Sequence, residues 1–205
     1  MHRRALRHLR AADTALGAII ARVGPYRLVP RTDGSHFDYV VRCIVGQQLS
    51  SKAAQTIYLR LLDLYGGRKP APAELLKTPV ATLRTVGLSG RKAEYVKELA
   101  ARTHRREIAI ERLHEMGDDA VIETLVSVRG IGRWTAQMVL MFRLERPDVL
   151  PELDLGVQKA VQRLCRMRKL PTPDRLQRIG AKWAPYRTYA AWYLWRSLEL
   201  PDATT

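Results

Sequence analysis

One carboxylate follows a glycine-rich turn by roughly twenty residues, and the two together could act on a nucleotide. The turn is Gly130-Ile131-Gly132, and it lies between two stretches whose apolar residues recur at helical spacing. Glycines let a backbone turn tightly and approach a ligand closely. Amides at the start of the second helix attract an anion such as a DNA phosphate. We therefore expect a phosphate grip beside a lone acid, Asp154.

Each half of this pattern also has an ordinary structural interpretation. A Gly-Ile-Gly sequence is common in a plain turn between helices. Asp154 stands at the predicted start of a helix, where aspartate is a frequent N-cap. The N-cap and the chemical interpretation of Asp154 are compatible, because amides at a helix start favour an ionised carboxylate.

The whole chain is strongly basic. Its 205 residues include 35 Lys and Arg against 20 Asp and Glu, which gives a formal net charge of +15. Such a surplus is typical of nucleic-acid-binding proteins, although a solvated basic surface gives the same total. Local clusters lie at Arg3-Arg4, Arg102 to Arg106 and Arg163 to Lys169, which favours a folded basic groove over a disordered tail.

Helical periodicity dominates the chain and predicts an all-α fold. The candidate helices are Leu6–Val23, Phe37–Gln47, Ser51–Tyr65, Ala73–Leu76, Val80–Val86, Gly90–His104, Asp119–Val128, Arg133–Leu144, Leu155–Met167, Pro173–Trp183 and Pro185–Glu199. Strand-like alternation is weak, and Tyr26–Val29 is the best short candidate. We expect one domain, residues 1–205, of two helical subdomains with a DNA-binding cleft between them. Residues 37–130 would form the central subdomain, and residues 1–36 with 131–205 the other.

Composition argues against a membrane protein and against a disulfide-stabilised one. No apolar run approaches the roughly 20 residues of a membrane span, and the first residues lack the apolar core of a signal peptide. We expect an intracellular monomer, in the cytoplasm and associated with the nucleoid. Cys43 and Cys165 predict two reduced thiols in the core, and two cysteines are too few for an iron–sulfur cluster.

Four ordered motifs carry a resemblance to a known family. They are Ile44–Ala54, Gly87–Ala93, Gly130–Ala136 with Pro151–Asp154, and Trp183–Ala190. Together they resemble the helix-hairpin-helix DNA glycosylase superfamily, and more narrowly its 3-methyladenine DNA glycosylase II branch. The resemblance runs from about Phe37 to Trp195 and implies a short form without the N-terminal β domain of some relatives.

The resemblance implies a base-excision repair enzyme that binds double-stranded DNA and flips out a damaged base. Its reaction would be hydrolysis of the N-glycosidic bond of alkylated purines, chiefly 3-methyladenine and also 7-methylguanine. Two alternatives stay open from the residues alone. One is a non-catalytic helix-hairpin-helix module that only binds DNA, and the other is a glycosylase for mismatched or oxidised bases.

Asp154 has the catalytic role in this resemblance. Its carboxylate would stabilise positive charge on the sugar or position the attacking water. An alkylated purine leaves as a neutral molecule, so one carboxylate suffices, and Glu152 is expected only at the rim. Trp134 occupies the position where strand-nicking relatives have a lysine that forms a Schiff base. We therefore expect an enzyme that leaves an abasic site and does not cut the strand.

The resemblance also assigns a pocket for the flipped base. Its lining residues would be Trp195, Trp134, Met138 and Leu155. An indole face attracts a cationic base, which would favour alkylated purines at Trp195, although a core tryptophan is the alternative for this position. Met138 and Leu155 stand where the best-known bacterial relative has aromatic residues, so the pocket and its substrate range are expected to differ.

The remaining assignments concern DNA contacts and a cation. Gln48, with Leu49 beside it, matches the wedge that fills the space of the flipped base, although Gln47 and Gln48 could simply end a helix. The other expected DNA contacts are Gly130, Gly132, Arg133, Thr135 and, in a second basic hairpin, Arg91. The main-chain carbonyls of Val126, Val128 and Ile131 would hold a monovalent cation, Na⁺ or K⁺. No other cofactor is expected.

Overall fold

A computed structural model describes residues 2–201, and across that range the chain forms helices and no strand, which confirms the all-α class. The α-helices are α1 (His2–Ala12), α2 (Thr14–Val23), α3 (His36–Gly46), α4 (Ser51–Asp63), α5 (Pro72–Lys77), α6 (Val80–Thr85), α7 (Gly90–His104), α8 (Asp118–Val126), α9 (Arg133–Phe142), α10 (Leu155–Leu164), α11 (Pro173–Gly180) and α12 (Arg187–Ser197). Two 3₁₀ helices cover Ile110–Glu115 and Ala181–Trp183. Tyr26–Val29, the best strand candidate, is irregular.

The observed helices differ from the predicted ones at two places, for identifiable reasons. The expected helix Leu6–Val23 is interrupted at Asp13, whose Oδ1 accepts a hydrogen bond from the Leu16 amide at 3.1 Å and so caps α2. The 3₁₀ helix Ile110–Glu115 was not predicted, because it turns every three residues rather than every 3.6.

The chain divides into two compact units. Among the described residues, the terminal unit combines residues 2–30 with residues 140–201, and the central unit is Arg31–Val139. The second division falls inside α9. The predicted subdomain boundaries lay after residue 36 and after residue 130.

In the terminal unit, α12 packs against α2 and α10, and Trp183 and Tyr193 are fully buried. The indole Nε1 of Trp183 donates to Oδ2 of Asp13 at 2.9 Å, and Lys182 Nζ lies 3.0 Å from the same oxygen. Burial by itself raises the pKa of Asp13, but the hydrogen bonds from Trp183, the Leu16 amide and Lys182 outweigh it and lower the pKa below its usual value. Asp13 therefore ties α2 to the C-terminal part of the unit.

In the central unit, α7 packs against α3, α5 and α6. The core residues Ile44, Leu61 and Leu99 are fully buried. Lys97 of α7 donates from Nζ to the carbonyls of Leu76 and Thr78 at 2.7 and 2.6 Å, so it ties down the C-terminal end of α5. The helix α7 is the element around which this unit is assembled.

The two cysteines lie in different environments. Cys43 is half-buried, but Cys165 is exposed at the end of α10, so the prediction of two core thiols is wrong for Cys165. Between residues 2 and 201, no helix is long and apolar enough to cross a membrane. Among the same residues, no three His, Cys, Asp or Glu side chains are grouped as metal ligands.

Candidate functional site

Asp154 is the N-cap of α10, and two N–H groups donate to the same oxygen of its carboxylate. The Val157 amide lies 2.8 Å from Oδ1, and the Trp195 indole Nε1 also lies 2.8 Å from Oδ1. The backbone of Asp154 is extended, with φ −75° and ψ 120°, as a residue before a helix requires. Two donors on one oxygen fix the orientation of the half-buried carboxylate.

Trp195 reaches Asp154 from α12, 41 residues further along the chain. Its ring stacks on Phe142, with ring centroids 5.9 Å apart and planes inclined by 20°. Gly156 makes room for this pair: a Cβ there would lie 3.0 Å from Asp154 Oδ1 and 3.0 Å from Trp195 Cδ1. The absence of a side chain at residue 156 thus allows the indole N–H to meet the carboxylate.

The other predicted pocket residues lie in different environments. In the terminal unit, Leu155 begins α10 directly after Asp154 and is 52% exposed. In the central unit, Trp134 is 40% exposed in the first turn of α9, and Met138 is buried one turn later. Glu152 is also buried, so the expectation that it stands on a rim is wrong. Its carboxylate accepts a hydrogen bond from Gln177 Nε2 at 3.1 Å.

The predicted glycine turn lies in the hairpin turn, which we define as residues 127–132 between α8 and α9. Gly130 has φ +87°, and a Cβ there would lie 2.1 Å from the Tyr95 ring, so only glycine fits this position. The Ile131 amide donates to the Val128 carbonyl at 3.1 Å and closes the turn. Gly132 is exposed and has open space where a Cβ would stand.

The predicted DNA contacts of the central unit are mostly at the surface. Arg133 at the start of α9 and Arg91 in the first turn of α7 are exposed, whereas Thr135 is buried. Gln48 is exposed with φ +58°, a left-handed conformation, and Leu49 is 40% exposed. The segment between α3 and α4 therefore presents two side chains outward.

The carbonyls predicted for the cation belong to the end of α8 and to the hairpin turn. Val126 is exposed, whereas the side chains of Val128 and Ile131 are buried. The Val128 carbonyl already accepts one hydrogen bond, and a carbonyl oxygen has two lone pairs. Carbonyl oxygens are ligands that suit a hard cation.

Sequence reasoning did not predict the contacts of five residues near Asp154 and the hairpin turn. They are Phe142 and Gly156 near Asp154, and Gln47, Lys92 and Tyr95 near the hairpin turn. Each acts through a contact between residues distant in the chain, so no local pattern signals it. The glycine next to the acid, in Asp154-Leu155-Gly156, is the one visible hint.

These features define a class of protein. Two helices joined by a closed glycine turn, together with an oriented aspartate at a later helix start, are the elements of a helix-hairpin-helix protein that acts on DNA. The chain belongs to the family described as "HhH-GPD superfamily base excision DNA repair protein", which it matches over residues 41–186. The resemblance found in the sequence motifs is thereby confirmed.

The chain is also similar to individual members over most of its length. It is 34% identical to DNA-3-methyladenine glycosylase 1 of Schizosaccharomyces pombe over 200 residues, which cover 96% of this chain and 88% of the relative. It is 34% identical to the putative DNA-3-methyladenine glycosylase YfjP of Bacillus subtilis, with 92% of this chain and 67% of the relative covered. Its fold matches the structure of the Schizosaccharomyces pombe 3-methyladenine DNA glycosylase Mag1 in complex with abasic DNA, with a TM-score of 0.87 over 98% of this chain and 100% of that one.

Proposed function

We propose that this protein is a DNA glycosylase that removes alkylated purines, chiefly 3-methyladenine and also 7-methylguanine, from double-stranded DNA. It hydrolyses the N-glycosidic bond and leaves an abasic site. The relatives named above support the reaction class. The observation that carries the proposal is the Asp154 carboxylate, fixed by the Val157 amide and the Trp195 indole on one oxygen.

The oriented carboxylate matches what the reaction needs. Cleavage of the bond between base and deoxyribose passes through a state with positive charge on the sugar, which a nearby carboxylate stabilises. Asp154 also positions the water that attacks the sugar. A purine alkylated at N3 or N7 is cationic before cleavage and neutral afterwards, so departure needs no general acid. Buried Glu152 accordingly has no part in the proposed step.

Base recognition in the proposal depends on aromatic and apolar surface. An indole has two faces, and since Phe142 packs on one face of Trp195, a flipped cationic base would stack on the other. Leu155, exposed next to Asp154, supplies apolar surface in the terminal unit. Trp134 and Met138, which lie in the central unit, stay predictions from the sequence resemblance.

DNA contacts are proposed for the exposed parts of the central unit. The hairpin turn at Gly130 and Gly132 presents backbone amides to a phosphate at the start of α9. The remaining proposed contacts are Arg133 and Arg91 to the backbone, and Gln48 with Leu49 as the wedge in the duplex. The side chain of Thr135, also predicted as a contact, is buried and is left out of the proposal. The high net charge of +15 supports a partner with many phosphates.

We expect base removal without strand cleavage. A Schiff base with the sugar needs an amine, and Trp134 presents an indole at the start of α9. The sequence contains no lysine between Lys97 and Lys159. Incubation with methylated duplex DNA should give no nicked strand before heat or alkali, and no covalent complex on borohydride treatment. A trapped complex would contradict this part of the proposal.

A monovalent cation at the carbonyls of Val126, Val128 and Ile131 is part of the proposal. Such an ion would place positive charge beside a DNA phosphate at the hairpin turn. The closed turn and the carbonyl oxygens support a hard ion of the Na⁺ or K⁺ type. Duplex affinity measured at constant ionic strength should rise when tetramethylammonium is replaced by K⁺. Equal affinity in both salts would count against the cation.

The central test compares the protein with an Asp154→Asn variant on methylated duplex DNA, with released bases separated by chromatography. Asparagine is an equally good N-cap, so α10 should keep its start. We expect release of 3-methyladenine by the unmodified protein and a loss on the order of a hundredfold in the variant. No release by the unmodified protein would refute the enzyme, and salt-sensitive DNA binding without release would indicate a binding module.

Asp13→Asn is a matched control for that experiment. Asp13 is also an N-cap aspartate that accepts a tryptophan indole N–H in the terminal unit. Below its melting temperature, this variant should release bases at the rate of the unmodified protein. Equal release by the Asp154→Asn variant would remove Asp154 from the catalytic role.

A further inference from the structure

A network of hydrogen bonds lies wholly within the central unit and joins two segments that face DNA in the proposed function. One is the intercalation loop, which we define as Gln47–Ser50 between α3 and α4. The other is the hairpin turn, residues 127–132. Three groups connect them: the Lys92 ammonium, the Gln47 carboxamide and the middle of α7.

Lys92 holds the end of α3, from which the intercalation loop departs. Its Nζ donates to the carbonyl of Val45 at 2.8 Å and to that of Gln47 at 2.6 Å. These carbonyls end the helix and have no partner inside it, and they form the negative end of its dipole. Burial lowers the pKa of the Lys92 ammonium. The sequence suggested a basic hairpin here, but this lysine turns inward to the backbone.

Gln47 bridges the intercalation loop to the hairpin turn directly. Its side-chain Nε2 donates to the Gly130 carbonyl at 2.8 Å. The next residue, Gln48, has φ +58°, which is uncommon for a residue other than glycine and strains the backbone. The Leu49 amide donates back to the Gly46 carbonyl at 3.2 Å. Gln47 thus points inward and holds the loop, whereas Gln48 points outward.

The same helix that carries Lys92 also supports the hairpin turn. The Tyr95 ring lies against Gly130, Glu98 accepts a hydrogen bond from the Arg129 amide at 3.1 Å, and Arg102 donates to the Ser127 carbonyl. An α-helix of 15 residues is a stiff rod. Contacts from one rod to both segments fix the distance between them.

We propose that Lys92 and Gln47 are positioning residues that hold the intercalation loop at a fixed place relative to the hairpin turn, so that the wedge can displace a damaged base from the duplex. The inference rests on the proposed function and deepens it. Extruding a base from a duplex costs free energy, because the base must unpair and unstack. A wedge contributes to that cost only if its loop is anchored to a part of the protein that already holds the DNA backbone.

The choice of substrate can distinguish an effect on base displacement from an effect on bond cleavage. A damaged base in a single strand has no partner to leave, so a rigid wedge gives little advantage there. Removal of either link should therefore slow base release from duplex DNA and spare release from a single strand. A general loss of folding would lower both rates.

The test uses Lys92→Met and Gln47→Ala, with Lys97→Met as the matched control. Lys97 lies on the same helix and also donates to two backbone carbonyls, but at the end of α5. Oligonucleotides methylated as single strands serve as probes, either alone or annealed to the complement. A 2-aminopurine beside the lesion reports base displacement by its fluorescence.

We expect the single-turnover rate on duplex DNA to fall about tenfold in Lys92→Met and Gln47→Ala, as loss of a hydrogen bond to a charged or buried group implies. The 2-aminopurine signal should slow in parallel, the single-strand rate should be unchanged, and Lys97→Met should match the unmodified protein on both probes. Equal losses on both probes, equal losses in Lys97→Met, or unchanged duplex rates would overturn the inference. Lack of base release by the unmodified protein would instead refute the proposed function.

Discussion

Replacement of Trp195 by phenylalanine tests whether the indole N–H orients the Asp154 carboxylate. The phenyl ring keeps aromatic surface against Phe142 but removes the donor 2.8 Å from Asp154 Oδ1. A hydrogen bond to a charged group contributes about 1.5–3 kcal/mol. Because the Val157 amide stays on the same oxygen at 2.8 Å, we expect the lower end of that range, or about a tenfold loss in the rate of base release.

Single-turnover release from methylated duplex DNA is the measurement, because it reports cleavage without product dissociation. Binding to undamaged duplex should be unchanged in the variant, and so should its melting temperature to within a few degrees, as roughly 1 kcal/mol implies. An unchanged single-turnover rate would refute the orientation of Asp154 by Trp195. A loss confined to affinity would indicate that Trp195 only stacks on the base.

Gly156→Ala should perturb the same hydrogen bond between Trp195 and Asp154. The added Cβ would lie 3.0 Å from Asp154 Oδ1 and 3.2 Å from Trp195 Nε1, so the indole or the carboxylate must move. The alanine should therefore lower the cleavage rate of the otherwise unmodified protein. It should have a smaller effect when it is combined with Trp195→Phe in a double variant. Additive losses in the double variant would mean that the two residues act independently.

Three further outcomes follow from burial and backbone geometry. Asp13→Asn should lower the free energy of unfolding by about 2 kcal/mol at neutral pH, as measured by urea unfolding. Because the folded pKa of Asp13 is lowered, the difference in unfolding free energy between the two proteins should shrink as pH falls below about 4. It should disappear below the folded pKa. Gly130→Ala should cost roughly 2–4 kcal/mol because its φ is +87° and the Tyr95 ring occupies the Cβ position, and thermal unfolding would detect it. A thiol reagent at pH 8 should label exposed Cys165 and leave Cys43 unlabelled, since burial raises the pKa of Cys43 to about 12. Mass spectrometry of the labelled protein would identify the modified residue.

Local features of the structure were predictable from the sequence, because their signals are local. Helical spacing predicted the all-α class, and Gly130 with Gly132 predicted the turn between α8 and α9. The break at Asp13 was missed, because apolar positions recur at helical spacing on both sides of it. An aspartate followed by threonine is nevertheless a common start of a helix, so the signal was present.

Long-range contacts account for what the sequence could not predict. Lys92 and Lys97 both look like exposed cations on a helix, yet each ends on two backbone carbonyls of a different element. Gln47 and Gln48 are identical neighbours, but one is turned inward to Gly130 and the other outward. Which of two equal side chains faces the hairpin turn depends on tertiary packing and has no signature in residue type or spacing.

The two N-cap aspartates of the terminal unit show how one local motif serves two purposes. Each accepts a hydrogen bond from a backbone amide three residues later and one from a tryptophan indole. At Asp13 the donors act on different oxygens, and Lys182 adds a positive charge. The side chain is buried, so this carboxylate has a structural role. At Asp154 both donors act on one oxygen of a half-buried carboxylate at the start of α10, an arrangement that orients the group and keeps it near the surface. Sequence reasoning recognised only Asp154 as a cap, and Asp154 is also the residue for which we propose chemistry.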